Sequence, residues 1–224
     1  GNAVEYMYSK GICDVDFVVC NTDAQTLENS PVPLKIQLGK KLTEGHGAGN
    51  DPFQGARSAE ESLEEIKEML RRNTKMAFIT AAMGGGTGTG AAPVIARLTK
   101  EMDILTVGIV SIPARFEGPK RLNQAREGLR LLKDNVDCLI VIDNEKIKKI
   151  YGSQTISAAF AKANDVLNIA AKGIAEIITL PGYINVDFAD VKTVMTNSGV
   201  AIMGAAQASG EDRAKRAITE ALDR

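Results

Sequence analysis

The sequence predicts an α/β protein: a Rossmann-like domain built on a parallel sheet, a long central helix, and part of a second, α+β domain. Three observations predict it. Apolar strand-like runs alternate with helical patterns, the order that produces parallel strands joined by crossovers. One such run leads directly into a glycine-rich loop and then a helix. One helical pattern continues from about residue 155 to 180 and is followed by a short, mixed C-terminal stretch.

In chain order, Phe17-Val18-Val19-Cys20 is a short apolar run ending in Asn21-Thr22-Asp23. Ser58-x-x-Glu61 reads as a capping box, with Leu63, Ile66 and Leu70 at helix spacing behind it. Residues 76–82 are apolar on both pleat faces apart from Thr80, which predicts a strand covered on both sides. A helix over 91–100 follows, with Pro93 in its first turn. Residues 104–110 and 138–142 read as further buried strands. Between them Pro119 opens a helix whose stripe is Leu122, Leu129 and Leu132. The long pattern places Ile156, Phe160, Ala163, Leu167, Ala170, Ile174 and Ile177 on one seam, widened by Val166, Ile169 and Ile178. Pro181-Gly182 ends it after nearly 40 Å, at about 1.5 Å per residue. A short helix over 188–196, an apolar run over 201–206 and a last helix capped near Ser209 complete the chain. The expected division is 1–154, 155–180 and 181–224.

Composition removes several functions. Lys plus Arg is 27 and Asp plus Glu is 28, so no basic excess favours duplex DNA or an anionic membrane surface. Aromatics are 4% with no Trp, which argues against base-stacking modules, so no nucleic-acid partner is expected. Cys13, Cys20 and Cys138 contain no C-x-x-C, which argues against a disulfide framework or structural zinc and for a reducing compartment. His46 is the single histidine, so Ser-His-Asp chemistry and multi-histidine metal sites lack material, and no metal ligands are assigned. No apolar run of 18 residues predicts a membrane span. The chain opens Gly1-Asn2-Ala3-Val4, neither a signal peptide nor a Met start.

The chemistry concentrates in Gly84-Gly85-Gly86-Thr87-Gly88-Thr89-Gly90, which holds five of the 21 glycines. A glycine loop between a strand and a helix N-terminus is an anion site: the backbone approaches phosphate oxygens, loop N–H groups donate, and the helix dipole favours negative charge. No Walker pattern G-x-x-x-x-G-K-[ST] is present. A dinucleotide fingerprint can be forced as Gly86-x-Gly88-x-x-Ala91. It lacks the acidic residue at the end of the next strand, because Asp103 stands at that strand's wrong end. NAD binding is the second choice.

The glycine loop, with Met83 before it and Ala91-Ala92-Pro93 after it, resembles the signature of the tubulin/FtsZ GTPase family in its bacterial cell-division branch. Asn21-Thr22-Asp23, Gly45-His46-Gly47-Ala48-Gly49, Arg115-Phe116-Glu117-Gly118 and Asn185-x-Asp187-Phe188-Ala189-Asp190 resemble loops of that family, in the same order. The resemblance implies GTP or GDP as ligand, with Mg2+ accompanying GTP. It places the phosphates on Gly84, Gly85, Gly86, Thr87, Gly88, Thr89 and Gly90. Gly1 and Asn2 match the end of a first glycine-rich nucleotide loop. Asn21, Asp23, Gly47 and Ala48 belong to matching nucleotide loops, the last two near the terminal phosphate. Glu117 and Arg121 match residues beside ribose and phosphates, and Asn144, Phe160 and Asn164 match a guanine pocket. An amide can donate and accept at the guanine edge, and an aromatic face can stack on the base. Asp51 and Phe53 depart from the family wording.

Asp187 and Asp190 stand at i, i+3 at a helix start. The residues alone leave two roles open, dipole pairing at that start or catalysis. Nucleotides sit at the carboxyl ends of parallel strands, and the long helix carries the chain far from that end. If Asp187 and Asp190 are catalytic, they act on a neighbour's nucleotide. The resemblance implies this arrangement: Asn185, Asp187 and Asp190 of one subunit complete the site of the next, head to tail, in a cytoplasmic filament at the division site. The implied partners are further copies of the chain, and division adaptors recruited through a C-terminal region lying outside this sequence. By the same resemblance a first strand precedes Gly1 and a β-sheet domain continues past Arg224. The alternative expectation is therefore a nucleotide-binding fragment that neither polymerises nor turns over.

Overall fold

The computed structural model describes residues 2–12, 14–71, 73–151, 156–180, 186–202, 204 and 206–222, the side chains of 148–151 and 156–160 excepted. The elements are α1 (Asn2–Lys10), β1 (Val18–Asn21), α2 (Ala24–Glu28), β2 (Leu34–Gln37), α3 (Lys40–Thr43), α4 (Pro52–Glu61), α5 (Leu63–Leu70) and β3 (Met76–Ala82). They continue as α6 (Thr87–Glu101), β4 (Leu105–Ile112), a 3-10 turn (Arg115–Glu117), α7 (Pro119–Lys133) and β5 (Cys138–Asp143). Last come α8 (Asn144–Tyr151), α9 (Ile156–Thr179), α10 (Phe188–Met195), β6 (Gly199–Val200) and α11 (Arg213–Leu222).

All strand pairings are parallel, as the alternation predicts, but the strands form two sheets. One is β1–β2, with Val18 opposite Leu34; the other runs β3–β4–β5–β6, with Met76 opposite Leu105 and Val107 opposite Cys138. β4 is flanked on both sides and covered on both faces, so Leu105 to Ser111 are all buried. β3 pairs on one side only, and most of its residues stay half-buried, against the expectation of a fully covered strand.

Alternating residues of the strands feed opposite layers. Val107, Ile109, Cys138, Ile140 and Ile142 pack with Ala163, Leu167 and Ala170 of α9 and Met7 of α1. Val110 and Leu139 face the other way, against Ala92 and Ala96 of α6 and Ala125 and Leu132 of α7. β2 contributes Ile36 to a third cluster with Ala59, Ile66, Leu70 and Val94. The long seam holds in its middle, but Ile177 and Ile169 are exposed. At 24 residues α9 is about 36 Å long, whereas the eight residues of β4 span roughly 26 Å, so the far end of the helix runs past the sheet.

Several boundaries differ from the sequence reading. Ser58-x-x-Glu61 is no capping box: both residues lie inside α4. Its N-cap is Asp51, which accepts from Phe53 N at 2.9 Å, with Pro52 at the first helical position. Ser58 Oγ instead donates to Gln54 O at 2.8 Å, and the Glu61 carboxylate accepts from the N–H groups of Lys41 and Leu42. α6 begins at Thr87, inside the glycine loop, and α11 begins at Arg213. The apolar run 201–206 forms no regular element among its described residues, and Ile202 is exposed.

Candidate functional site

Parallel pairing brings the predicted loops to one edge. Asn21 ends β1, Ala82 ends β3, Ile112 ends β4 and Asp143 ends β5. The segments that follow β3, β4 and β5, Met83–Gly90, Ala114–Arg121 and Asn144, therefore gather at the carboxyl ends of one sheet, where such sheets place ligands, and Thr22-Asp23 from the other sheet joins them through the contact of Thr22 with Thr87.

Met83 N donates to Ser111 O at 2.8 Å and holds the start of the glycine loop against β4. Gly84 then turns at φ 101°, a left-handed conformation that disfavours a side chain. Its N–H donates to Thr89 Oγ1 at 2.8 Å, so the buried threonine folds the loop onto the first turn of α6. The N–H groups of Thr87, Gly88 and Thr89 have no acceptor within the helix, which leaves three donors and the positive dipole end for an anion. Thr87 Oγ1 lies 2.7 Å from Thr22 Oγ1, and Thr22 is fully buried.

The Gly45–Asp51 segment closes one side. A Cβ on Gly86 would stand 2.8 Å from Asp51 N and 2.9 Å from the Ala48 methyl, so this segment lies directly on the glycine loop. The Asp51 carboxylate is engaged as the cap of α4. The departure from the family wording at Asp51 thus serves a helix N-terminus. Asp23 likewise caps α2, accepting from Thr26 N at 2.9 Å, and pairs across a β-bridge with His46. Gln124 of α7 donates to Asn50 O at 2.9 Å, and its buried Oε1 has no partner.

Arg121 closes the opposite side, its carbonyl 3.0 Å from where a Gly84 Cβ would lie. Its guanidinium pairs with Glu117 at 3.0 Å, while the other Glu117 oxygen accepts from Ala114 N at 2.9 Å. Glu145 accepts from Arg115 N at 3.0 Å and so brings the start of α8 beside this turn. There Asn144 Oδ1 is buried without a partner, an acceptor that ordinarily costs about 1–3 kcal/mol to leave unsatisfied and that suits a ligand N–H. Asn164 is half-buried on α9. Asn2 begins α1, which is held to α9 by Tyr6 Oη donating to Asp165 Oδ1 at 2.9 Å. Gly1, Asn185 and the Phe160 side chain lie outside what the structure describes.

Asp187 and Asp190 do not join this edge. Each uses one carboxylate oxygen in a reciprocal cap of α10: Asp187 Oδ1 accepts from Asp190 N at 2.9 Å, and Asp190 Oδ2 accepts from Asp187 N at 3.2 Å. α10 is anchored far from the glycine loop, with Lys192 Nζ 3.1 Å from the Asp103 carboxylate beyond the C-terminus of α6. The 15 residues of α6 put roughly 22 Å between the glycine loop and that anchor.

Burial pushes the Cys20 thiol up to about 11 and also raises Cys138, a Ser198 hydrogen bond opposing the latter. Neither is a nucleophile at neutral pH. Among the described residues no group of three or more His, Cys, Asp or Glu could hold a metal ion, and no helix is long and apolar enough to cross a membrane. Thr22 and Gln124 escaped assignment from sequence. The signal for Thr22 was its place between two assigned residues, and for Gln124 its position one turn after Arg121.

A glycine loop at a helix N-terminus, folded by Thr89 and gathered with the other strand-end loops, is the anion-binding edge of a parallel α/β domain. The chain belongs to the tubulin/FtsZ family: the family model for its GTPase domain matches residues 1–152. It is 49% identical over 223 residues to the cell division protein FtsZ of Porphyromonas gingivalis and 52% identical over 223 residues to that of Pseudomonas aeruginosa. Those alignments cover 99% of this chain but 49% and 56% of the relatives, so the chain spans about half the length of the curated relatives it matches. An FtsZ dimer from M. jannaschii superposes with a TM-score of 0.92 at 46% identity, covering 99% of this chain and 64% of that one. CetZ2 from Haloferax volcanii, described as a GTPγS-bound protofilament, superposes with a TM-score of 0.78 at 25% identity, covering 92% and 64%.

Proposed function

We propose that the chain binds guanine nucleotide at the carboxyl edge of its sheets and hydrolyses GTP only between subunits of a head-to-tail filament. The glycine loop and the α6 N-terminus hold the phosphates, Arg121 adds a cation beside them, and Asn144 and Asn164 read the base with Phe160. Mg2+ would enter on the phosphate oxygens. One observation carries the shared-site reading: the glycine loop and α10 lie at opposite ends of α6, so Asp187 and Asp190 serve a nucleotide on another copy. Such a heterologous contact need not close and can propagate as a filament.

At that contact the carboxylates hold and orient the attacking water, and Asn185 assists. Phosphoryl transfer depends chiefly on positioning and charge stabilisation, so a lone subunit with half the constellation turns over little. The relatives named as cell division proteins, the FtsZ dimer and the GTPγS-bound protofilament support the reading. A role at the division site, with adaptors bound outside this sequence, belongs to the same proposal. Asp190→Ala tests it. Calorimetric GDP affinity should stay within about twofold while GTP turnover falls at least roughly a hundredfold. Loss of nucleotide binding in this variant would place Asp190 at its own subunit's site and overturn the assignment.

A further inference from the structure

At the end of α6 remote from the glycine loop, one buried carboxylate gathers three elements. Asp137 stands just before β5 and is only 5% exposed. Asp137 Oδ2 accepts from Thr106 N at 2.9 Å, and Asp137 N donates to Thr106 O at 2.8 Å, which fixes the residue to β4. Asp137 Oδ1 accepts from Asn197 N at 3.4 Å and lies 3.5 Å from Lys100 Nζ of α6. Lys100 Nζ in turn donates to Asn197 Oδ1 at 2.9 Å. The Asp137 carbonyl accepts from Gly199 N at 3.0 Å and Ser198 Oγ at 3.4 Å. Residues 197–199, the turn that follows α10, are thus held through both the backbone and the side chain of a single aspartate.

Other contacts hold α10 less specifically. Val191 is its one buried residue, Met195 packs at the edge of the core cluster on α9, and Ala201 N beyond it donates to Leu139 O. A cleft of about 190 Å³ bounded by Lys100, Asp103, Asp137, Lys192 and Asn197 lies beside it. The Lys192–Asp103 pair reaches across, but Asp103 is 91% exposed and water screens the attraction. An exposed pair of this kind adds little orientation. Asp137 is different, because a buried carboxylate is tolerated only when its hydrogen bonds and charge are satisfied in one arrangement.

We propose that Asp137, with Lys100 and Asn197, is a latch that positions α10 and so aims Asp187 and Asp190 at the neighbouring subunit's nucleotide. The inference rests on the shared-site reading above. α10 has eight residues and is about 12 Å long, so a tilt of about 5° at its latched end moves its start by about 1 Å. A displacement of that size can cost up to roughly a hundredfold in rate.

The test uses the full-length chain and reads GTP turnover per sedimented subunit beside GDP affinity. Asn197→Gly removes the Lys100 acceptor without backbone strain, because Asn197 already sits at φ 52°. Lys100→Met removes the cation, and Asp137→Asn replaces one carboxylate acceptor with a donor. Turnover per assembled subunit should fall roughly tenfold or more in all three, with GDP affinity and assembled fraction within about twofold, and Lys100→Arg should restore most of it. Unchanged turnover in Asn197→Gly and Asp137→Asn, beside an inactive Asp190→Ala, overturns the latch and leaves the shared site standing. A parallel fall in GDP affinity makes Asp137 a general stabilising residue and also overturns the latch. Full turnover in Asp190→Ala overturns the shared-site reading itself.

Discussion

Adding one methyl group at two helical glycines should move stability in opposite directions. Gly90 lies in the first turns of α6, where α4 crosses it. A Cβ there would collide with the carbonyl oxygen of Pro52 and stand 2.6 Å from Ala56 N and 2.9 Å from Pro52 C. All three atoms are backbone, so no side chain can rotate away, and α4 must retreat by about 1 Å to restore ordinary contact. Overpacking of this kind costs about 3 kcal/mol at the upper end of the usual range, offset by about 1 kcal/mol of helix propensity gained over glycine. Gly90→Ala should therefore lose about 2 kcal/mol and lower Tm by about 4–8 °C. Gly173, exposed on α9, has nothing within 4 Å of its ideal Cβ. Only the propensity gain remains there, and Gly173→Ala should raise Tm by about 2–4 °C. Because α4 carries Asp51 onto Gly86, Gly90→Ala should also reduce the thermal stabilisation produced by GDP. Scanning calorimetry with and without GDP reads both effects. A Gly90→Ala protein as stable as the parent, with an undiminished GDP shift, would refute the packing argument.

Two further outcomes follow from single contacts. Thr89→Ala leaves the Gly84 N–H without its acceptor and should cost about 1–3 kcal/mol in urea unfolding, with weaker GDP binding, while Thr89→Ser retains the bond and most of both. Equal losses for Ala and Ser would assign the effect to the methyl group instead. With its thiol pushed up to about 11, Cys20 should resist iodoacetamide at pH 8 in the native protein, as should buried Cys138. Peptide mass mapping checks this, and rapid labelling of either residue without unfolding contradicts the burial.

β4 and β5 were legible because covered strands are apolar on both faces, and the glycine loop because few other sequences join strand to helix in that way. β2, whose Leu34 and Lys35 are exposed, carried no such run. Helix starts were less legible. Ser58 and Glu61 imitate a cap, while the real cap is Asp51 with Pro52 at the first helical position, a local start signal lying beside the glycine-rich stretch 45–49. The split into two sheets depends on which edges meet, a long-range property that apolar runs do not encode. The exposure of Ile177 depends on α9 being longer than the sheet it covers. At the site, motif residues appeared at the expected edge because strand ends place them there. Gln124 and Asp137 carry no motif and became visible only through their partners. The pair Asp187 and Asp190 was read as either cap or catalyst. The structure provides the cap directly, and its remoteness from the glycine loop means that the proposed catalytic role falls on another copy's nucleotide.

That second role is decided most directly by GTP turnover per subunit as a function of protein concentration, measured on the full-length chain. A nucleotide site completed by a neighbour predicts negligible turnover at low concentration. The rate should then rise steeply with the onset of assembly, and Asp190→Ala should assemble without turning over. A rate per subunit that stays flat from the lowest concentration upward, in the absence of assembly, would contradict the shared site.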